Sequence, residues 1–275
     1  MSGDHQDFGG LHEDLRLTGV SLGRRDILRL ALGAGVLQVL GCGGDITGTT
    51  SGANNGSSSN GNNATCSTIP SETAGPYPGD GSNGPNVLGL SGVVRQDIRS
   101  SFGGLSGTAA GVPLTVNLTL VSTAASCAAL AGRAIYLWHC DRGGLYSLYS
   151  AGATNQNYLR GVQVTDDAGK VSFTSIFPGC YAGRWPHIHF EIYRSTTTAT
   201  QFSNRLKTSQ LALPADICST VYNSASGYTA SIANFRNISL TSDNVFSDGV
   251  TLQMATVTGD STSGYTARLQ VGIAA

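Results

Sequence analysis

The chain has 275 residues, a formal net charge of −1 and only 12% charged residues. That length is ample for a buried core, and one large domain is the simplest count. The sparse, balanced charge excludes the basic stripe of a nucleic-acid binder, and 37 glycines with little helical periodicity favour short strands and turns.

The first 42 residues read as an address. Arg24 and Arg25 precede an apolar run from Ile27 to Leu40, interrupted only by Arg29 and Gln38. That run is short for a membrane span and suits the apolar region of a signal peptide. The paired arginines point to a twin-arginine export route, so the expected location is the cell envelope or the exterior. "VLGC" at 39–42 resembles a lipobox, which would lipidate Cys42 and anchor the chain; a plain signal peptide cut nearby is the alternative. Residues 43–65 are rich in Gly, Ser, Asn and Thr, with almost nothing to bury. They are expected to form a flexible linker with an r.m.s. span of roughly 25 Å.

From residue 66 onward, short β-like runs alternate with turn residues. Strands are predicted over 113–122, 133–140, 160–165, 170–176, 187–193, 206–213, 250–257 and 265–273. "TDDAG" (165–169) and "FPGCY" (177–181) read as turns, and 214–222 as one short helix. The pattern implies an all-β fold: an antiparallel β-sandwich over 66–275, with long loops and little helix. Cys66, Cys127, Cys140, Cys180 and Cys218 remain after Cys42 is set aside. In an oxidising compartment they can form at most two bridges, with the pairing open.

The run "GRWPHIHFEIY" (183–193) carries the first chemical signal. Alternation along a strand puts His187, His189, Glu191 and Tyr193 on one face and Ile188, Phe190 and Ile192 on the other, core-like face. Two imidazoles side by side could hold a metal, although an isolated H-x-H is more often a solvated or hydrogen-bonded pair. Tyr181 lies six residues before His187, Arg184 three before it, and Tyr146 sits in "DRGGLYSLYS" (141–150).

Together, "YLWHCDRGGLYSLYS", "LRGVQVTDDAGKVSFTSIFPGCY" and "GRWPHIH" resemble, in order, the motifs of the intradiol ring-cleavage dioxygenases, the family of protocatechuate and catechol dioxygenases. The resemblance spans about residues 66–213. It implies a non-haem Fe(3+) cofactor held by Tyr146, Tyr181, His187 and His189, and a catechol ring cleaved by O2 between its hydroxylated carbons to a muconic-acid-type product. It further implies that Tyr181 is a labile ligand that accepts a catechol proton and that Arg184 stabilises negative charge on the ring. Gln210 would be the active-site glutamine. "SETAGPYPGDG" (71–81) resembles a pocket-lining segment, which makes Tyr77 a substrate-contact candidate. Here the order is R-W-P-H where the family has R-P-x-H, and the spacing from His189 to Gln210 is longer. Hard phenolate donors suit ferric iron. Relatives are commonly dimers, so a homodimer is a further expectation.

Outside that pattern, Tyr136 and Tyr149 read as core or edge aromatics, Trp138 and Phe173 as core, and His139 as structural. Cys140 and Cys180 read as packing or disulfide residues, and Asp166 and Asp167 as turn formers. Glu191 either orients an imidazole or is a solvated strand carboxylate. Two other functions compete: a non-catalytic transthyretin-like β-sandwich binding module, suggested by "VTDDAGKVSFTSIFPGCY", and a His/Tyr site for copper or zinc.

Overall fold

The computed structural model describes residues 66–275. The export signal, the lipobox at Cys42 and the linker lie outside the described residues. Two sheets form among them. The first contains β1 (Pro113–Ser122), β2 (Ala128–Ala129), β5 (Lys170–Ile176), β8 (Thr256–Asp260) and β9 (Gly264–Ile273). The second has the order β4 (Arg160–Val164), β3 (Ala134–Trp138), β6 (His187–Tyr193) and β7 (Lys207–Ala212). Two helices, α1 (Ala215–Ser224) and α2 (Thr229–Arg236), follow β7.

β1 organises the first sheet because it alternates cleanly: Leu114, Val116, Leu118 and Leu120 are buried, while Thr and Asn between them are half-buried. It pairs antiparallel with β5 over Pro113–Thr119 and parallel with β9 over Leu114–Ser122. The expected all-β sandwich holds, with β1–β9 a parallel ladder among otherwise antiparallel strand pairs. A parallel partner needs a long crossover, and here everything between β1 and β9 supplies it.

The main apolar core lies between the sheets. Ile135 and Leu137 of β3 and Ile188, Phe190 and Ile192 of β6 meet the inward residues of β1, β5 and β9. The opposite face of the second sheet is also covered. All seven residues of β6 are buried, and Tyr136, Trp138 and Tyr193 pack with Val87, Leu88, Val93 and Phe102 from the preceding loops. The face expected to lie away from the core is therefore a second packed layer.

Two expectations about the elements are corrected. The strand predicted over 250–257 begins only at Thr256, because the backbone of Val250 to Met254 closes a turn on the Val250 carbonyl. α2 has no counterpart in the sequence reading. One disulfide forms among the described residues, Cys66–Cys127, while Cys140, Cys180 and Cys218 stay free and buried. Those thiols act as small apolar fillers with weak donors: Cys140 Sγ points to the Gly179 carbonyl at 3.4 Å and Cys180 Sγ to the Arg184 carbonyl at 3.5 Å.

Candidate active site

β6 presents His187 and His189 on its loop-covered face, and their Nε2 atoms lie 3.0 Å apart. Tyr181, in the turn after β5, places its phenol oxygen 3.3 Å from His187 Nε2; Tyr146, in the loop after β3, places its own at 3.5 Å. Four donor atoms from three segments thus converge. The rings meet edge-on, with Tyr146 and Tyr181 at 74° and the two imidazoles at 78°, so the donor atoms face a shared centre while the apolar ring surfaces pack outward.

The His187 tautomer follows from its partner. His187 Nδ1 lies 2.5 Å from the Trp185 carbonyl, which can only accept, so Nδ1 carries the proton and Nε2 keeps its lone pair. Trp138 stacks on His189 with centroids 4.8 Å apart and planes 6° from parallel. Burial pushes both imidazoles well below the usual histidine range, and the Arg184 charge adds to this. Neutral imidazoles are the ligand form. Burial, then the neighbouring Tyr181, pushes the Tyr146 phenol well above its usual value. Ionising that phenol here requires a strong positive charge beside it.

Arg184 and Trp185 lead into β6. Arg184 is 2% exposed; its Nη2 donates to Gln210 Oε1 at 2.6 Å and its Nε to Asp243 Oδ2 at 3.0 Å. Burial lowers its affinity for a proton, but Tyr181 and Asp243 outweigh this and hold the guanidinium charged. Gln210 sits on β7 directly across from His189 and donates onward to the Thr73 carbonyl. The structure therefore brings Gln210 to Arg184 despite the lengthened spacing. The Tyr77 ring lies 4.9 Å from Tyr146 and 5.4 Å from Tyr149, at the edge of the same cluster.

Two residues that hold this site together were missed. Arg160, fully buried on β4, uses all five N–H donors: Nη1 on the Pro78 carbonyl and Tyr136 hydroxyl, Nη2 on the Tyr77 and Ser147 carbonyls, and Nε on Ser147 Oγ. It clamps the loop carrying Tyr77 to the loop carrying Tyr146. Gly79 makes room for it: its φ is +66°, and a Cβ there would stand 2.8 Å from Arg160 Nη1. Arg160 was visible only as the arginine opening "RGVQVT". Asp243 is the second. Its Oδ2 also accepts from the Trp185 backbone N–H at 2.7 Å, and its Oδ1 from the Val245 and Phe246 N–H groups. Its one sequence signal is an acid opening a short "DNVF" turn.

The remaining candidates resolve as supports. His139 bridges the Cys140 carbonyl and Ser175 Oγ; Trp138 and Phe173 are fully buried; Asp166 caps its turn through the Ala168 and Lys170 N–H groups. Tyr149 accepts from the Gly79 N–H and donates to the Asn83 carbonyl. Glu191 is buried, not solvated, and accepts from the Tyr193 and Thr208 hydroxyls rather than from an imidazole. Among the described residues no group of three or more His, Cys, Asp and Glu could hold a metal; a site here depends on the two phenol oxygens.

Residues 96–224 match the family model Dioxygenase_C, described as a dioxygenase. An intradiol ring-cleavage dioxygenase from Tetranychus urticae shares the fold at TM-score 0.58 and 22% identity, covering 76% of this chain and 94% of its own. A second solved dioxygenase aligns at TM-score 0.58 and 25% identity, with the same coverage. No curated protein matches the chain. The matched segment is thus similar to the dioxygenase family model, and the fold is that of solved intradiol ring-cleavage dioxygenases.

Proposed function

We propose that the chain is a non-haem ferric dioxygenase that opens catechol-type rings between the two hydroxylated carbons with O2, giving muconic-acid-type products. The observation that carries this is the convergence of the His187 and His189 Nε2 atoms with the Tyr146 and Tyr181 phenol oxygens. The donor set fits the metal. Two neutral imidazoles and two hard oxygen donors suit a trivalent cation, and such a cation offsets the burial that otherwise keeps Tyr146 protonated. When bound, ferric iron supplies the Lewis-acid centre that holds the catecholate and makes its ring electron-rich.

The chain's own residues then divide the work. Tyr181, half-buried on a turn, would help hold the metal and could accept a catechol proton at its phenol oxygen. Tyr146, buried and held in its loop, would hold the metal as well. Arg184 directs a fixed positive charge at developing negative charge on the ring, and Asp243 and Gln210 prevent it from turning away. Tyr77 lines the approach. A fused or simple catechol with an apolar ring suits these aromatic walls. Upstream of the domain, we infer export through Arg24–Arg25 and anchoring at Cys42, which Cys42→Ala should release from the membrane fraction.

The test is metal analysis, visible spectroscopy and oxygen uptake with a catechol panel. About one iron per chain, a visible phenolate-to-iron band and ring-opened product spectra are expected. Arg184→Ala should keep the iron and its colour and lose ~10²–10³ in rate. Active protein carrying zinc or no metal would overturn the reading.

A further inference from the structure

The two phenol oxygens of the candidate site come from different sheets. Tyr146 sits in the loop that leaves β3 in the second sheet, and Tyr181 in the turn that leaves β5 in the first. β3 pairs with β4 and β6, and β5 with β1, so ladder register alone does not set the spacing of the two phenols. Their backbones meet instead at a junction built on Asp141. The Asp141 carbonyl accepts from the Gly144 N–H at 3.0 Å, inside its own turn, and from the Gly179 N–H at 2.9 Å, in the other. Its side chain holds the first turn in shape. Oδ1 accepts from the Gly143 N–H at 2.8 Å and the Leu145 N–H at 3.0 Å, and Oδ2 from the Tyr158 hydroxyl at 3.4 Å. A carboxylate that accepts backbone N–H groups two and four residues on fixes a turn strongly.

The two turns touch main chain to main chain. A Cβ on Gly179 would stand 2.6 Å from the Arg142 carbonyl oxygen and 2.8 Å from the Gly144 nitrogen, so only glycine permits the approach. Gly144 in turn lies against Tyr181, where an added Cβ would come within 3.1 Å of the tyrosine Cβ. Tyr146 follows Gly144 by two residues, and Tyr181 follows Gly179 by two. We propose that Asp141 is a positioning residue for the site: it holds turn 141–145 in the one shape that docks on Gly179, and so sets the separation of the Tyr146 and Tyr181 phenol oxygens. It acts through the main chain, not on the substrate. Its consequence for iron rests on the function proposed above; its coupling of the two turns does not. Groups that orient metal ligands are typically worth ~10–100-fold in metal affinity.

The experiment compares full-length wild type, Asp141→Ala and Asp141→Asn. Asn keeps a side-chain oxygen for the Gly143 and Leu145 N–H groups, and Ala keeps none. Both of those bonds lie at the surface, so water replaces them and the fold survives the loss. In metal-free protein, amide exchange is expected to quicken in Asp141→Ala over both 143–145 and 179–182, and to stay at the wild-type rate over 179–182 in Asp141→Asn. In iron-loaded protein, Asp141→Ala is expected to shift the phenolate-to-iron band and to release iron to a chelator at least ~10-fold faster, with Asp141→Asn close to wild type. A merely structural aspartate would lower the melting temperature and leave the band, the iron release and the exchange over 179–182 unmoved. That result, or iron release as slow from Asp141→Ala as from wild type, overturns the proposal. A wild type that binds no iron overturns the metal reading instead, and exchange over 179–182 then decides this inference by itself.

Discussion

The two faces of the β4–β3–β6–β7 sheet solve the same problem differently. The inner face buries Ile135, Leu137, Ile188, Phe190 and Ile192 against the other sheet. Its stability comes from apolar area and close packing, so small losses of volume cost a little each. The outer face buries a cation at Arg160, an ion pair at Arg184–Asp243 and the two histidines beneath loops. Buried polar groups are tolerable only when fully partnered. That face therefore leans on a few multiply bonded residues, Arg160 and Asp243 above all, whose loss strands several partners at once. The lesson is that the site's rigidity comes from satisfied hydrogen bonds to loop carbonyls, while the sheet's existence comes from the opposite side.

The sharpest way to break the comparison is Arg160→Ala. It strands carbonyls from two loops and a tyrosine hydroxyl, at ~1–3 kcal/mol for each group left unpaired. We expect at least about 5 kcal/mol loss by denaturant unfolding, and faster amide exchange over residues 76–80 and 146–149 in Arg160→Lys, which retains the fold. Next is Asp243→Ala, which leaves the Arg184 charge buried and unpaired. A loss of ~3–5 kcal/mol is expected, with Asp243→Asn milder because the acceptors for the Trp185, Val245 and Phe246 N–H groups survive.

His139 is the polar exception between the sheets, and it sharpens the contrast through pH. Burial pushes it down to about 4. The unfolded state takes up a proton near pH 6.5 while the folded state refuses it until near 4. The stabilisation is thus present above pH 6.5 and lost as pH falls toward 4, on the order of 3 kcal/mol. His139→Gln should flatten that part of the stability curve relative to wild type, and an unchanged slope would dissociate the histidine from it. The smallest effect belongs to the apolar face: Ile192→Val should cost only ~0.5–1.5 kcal/mol and leave visible colour and turnover unmoved.

How much of this was readable beforehand follows the same division. Strands β5 and β6 were placed at their observed bounds, because alternation and flanking turns are local signals. The Tyr, Tyr, His, His set came from the resemblance carried by its ordered motifs, because an isolated H-x-H or a single tyrosine is more often a packed or hydrogen-bonded residue. Arg160 was not legible, because its partners are mostly backbone carbonyls at Tyr77, Pro78 and Ser147, which no residue type advertises. Asp243 was not, because it meets Arg184 across 59 residues of chain. The late start of β8 was hidden by a strand-like "VTLQMATV", where a buried Gln253 side chain reaching the Gln210 carbonyl competes with extension.

The Cys66–Cys127 link has a mechanical consequence. Any pull transmitted through whatever precedes Cys66 passes covalently to Cys127, whose N–H is tied to Ser122 at the end of β1. From there the load enters a strand gripped by seven register pairs to β5 and nine to β9. These would have to shear together before the strand could slide. The sheet carrying His187 and His189 lies off that path. Tension on the upstream segment is therefore borne by the sheet without catalytic candidates, and the donor atoms stay in register while the domain is tugged.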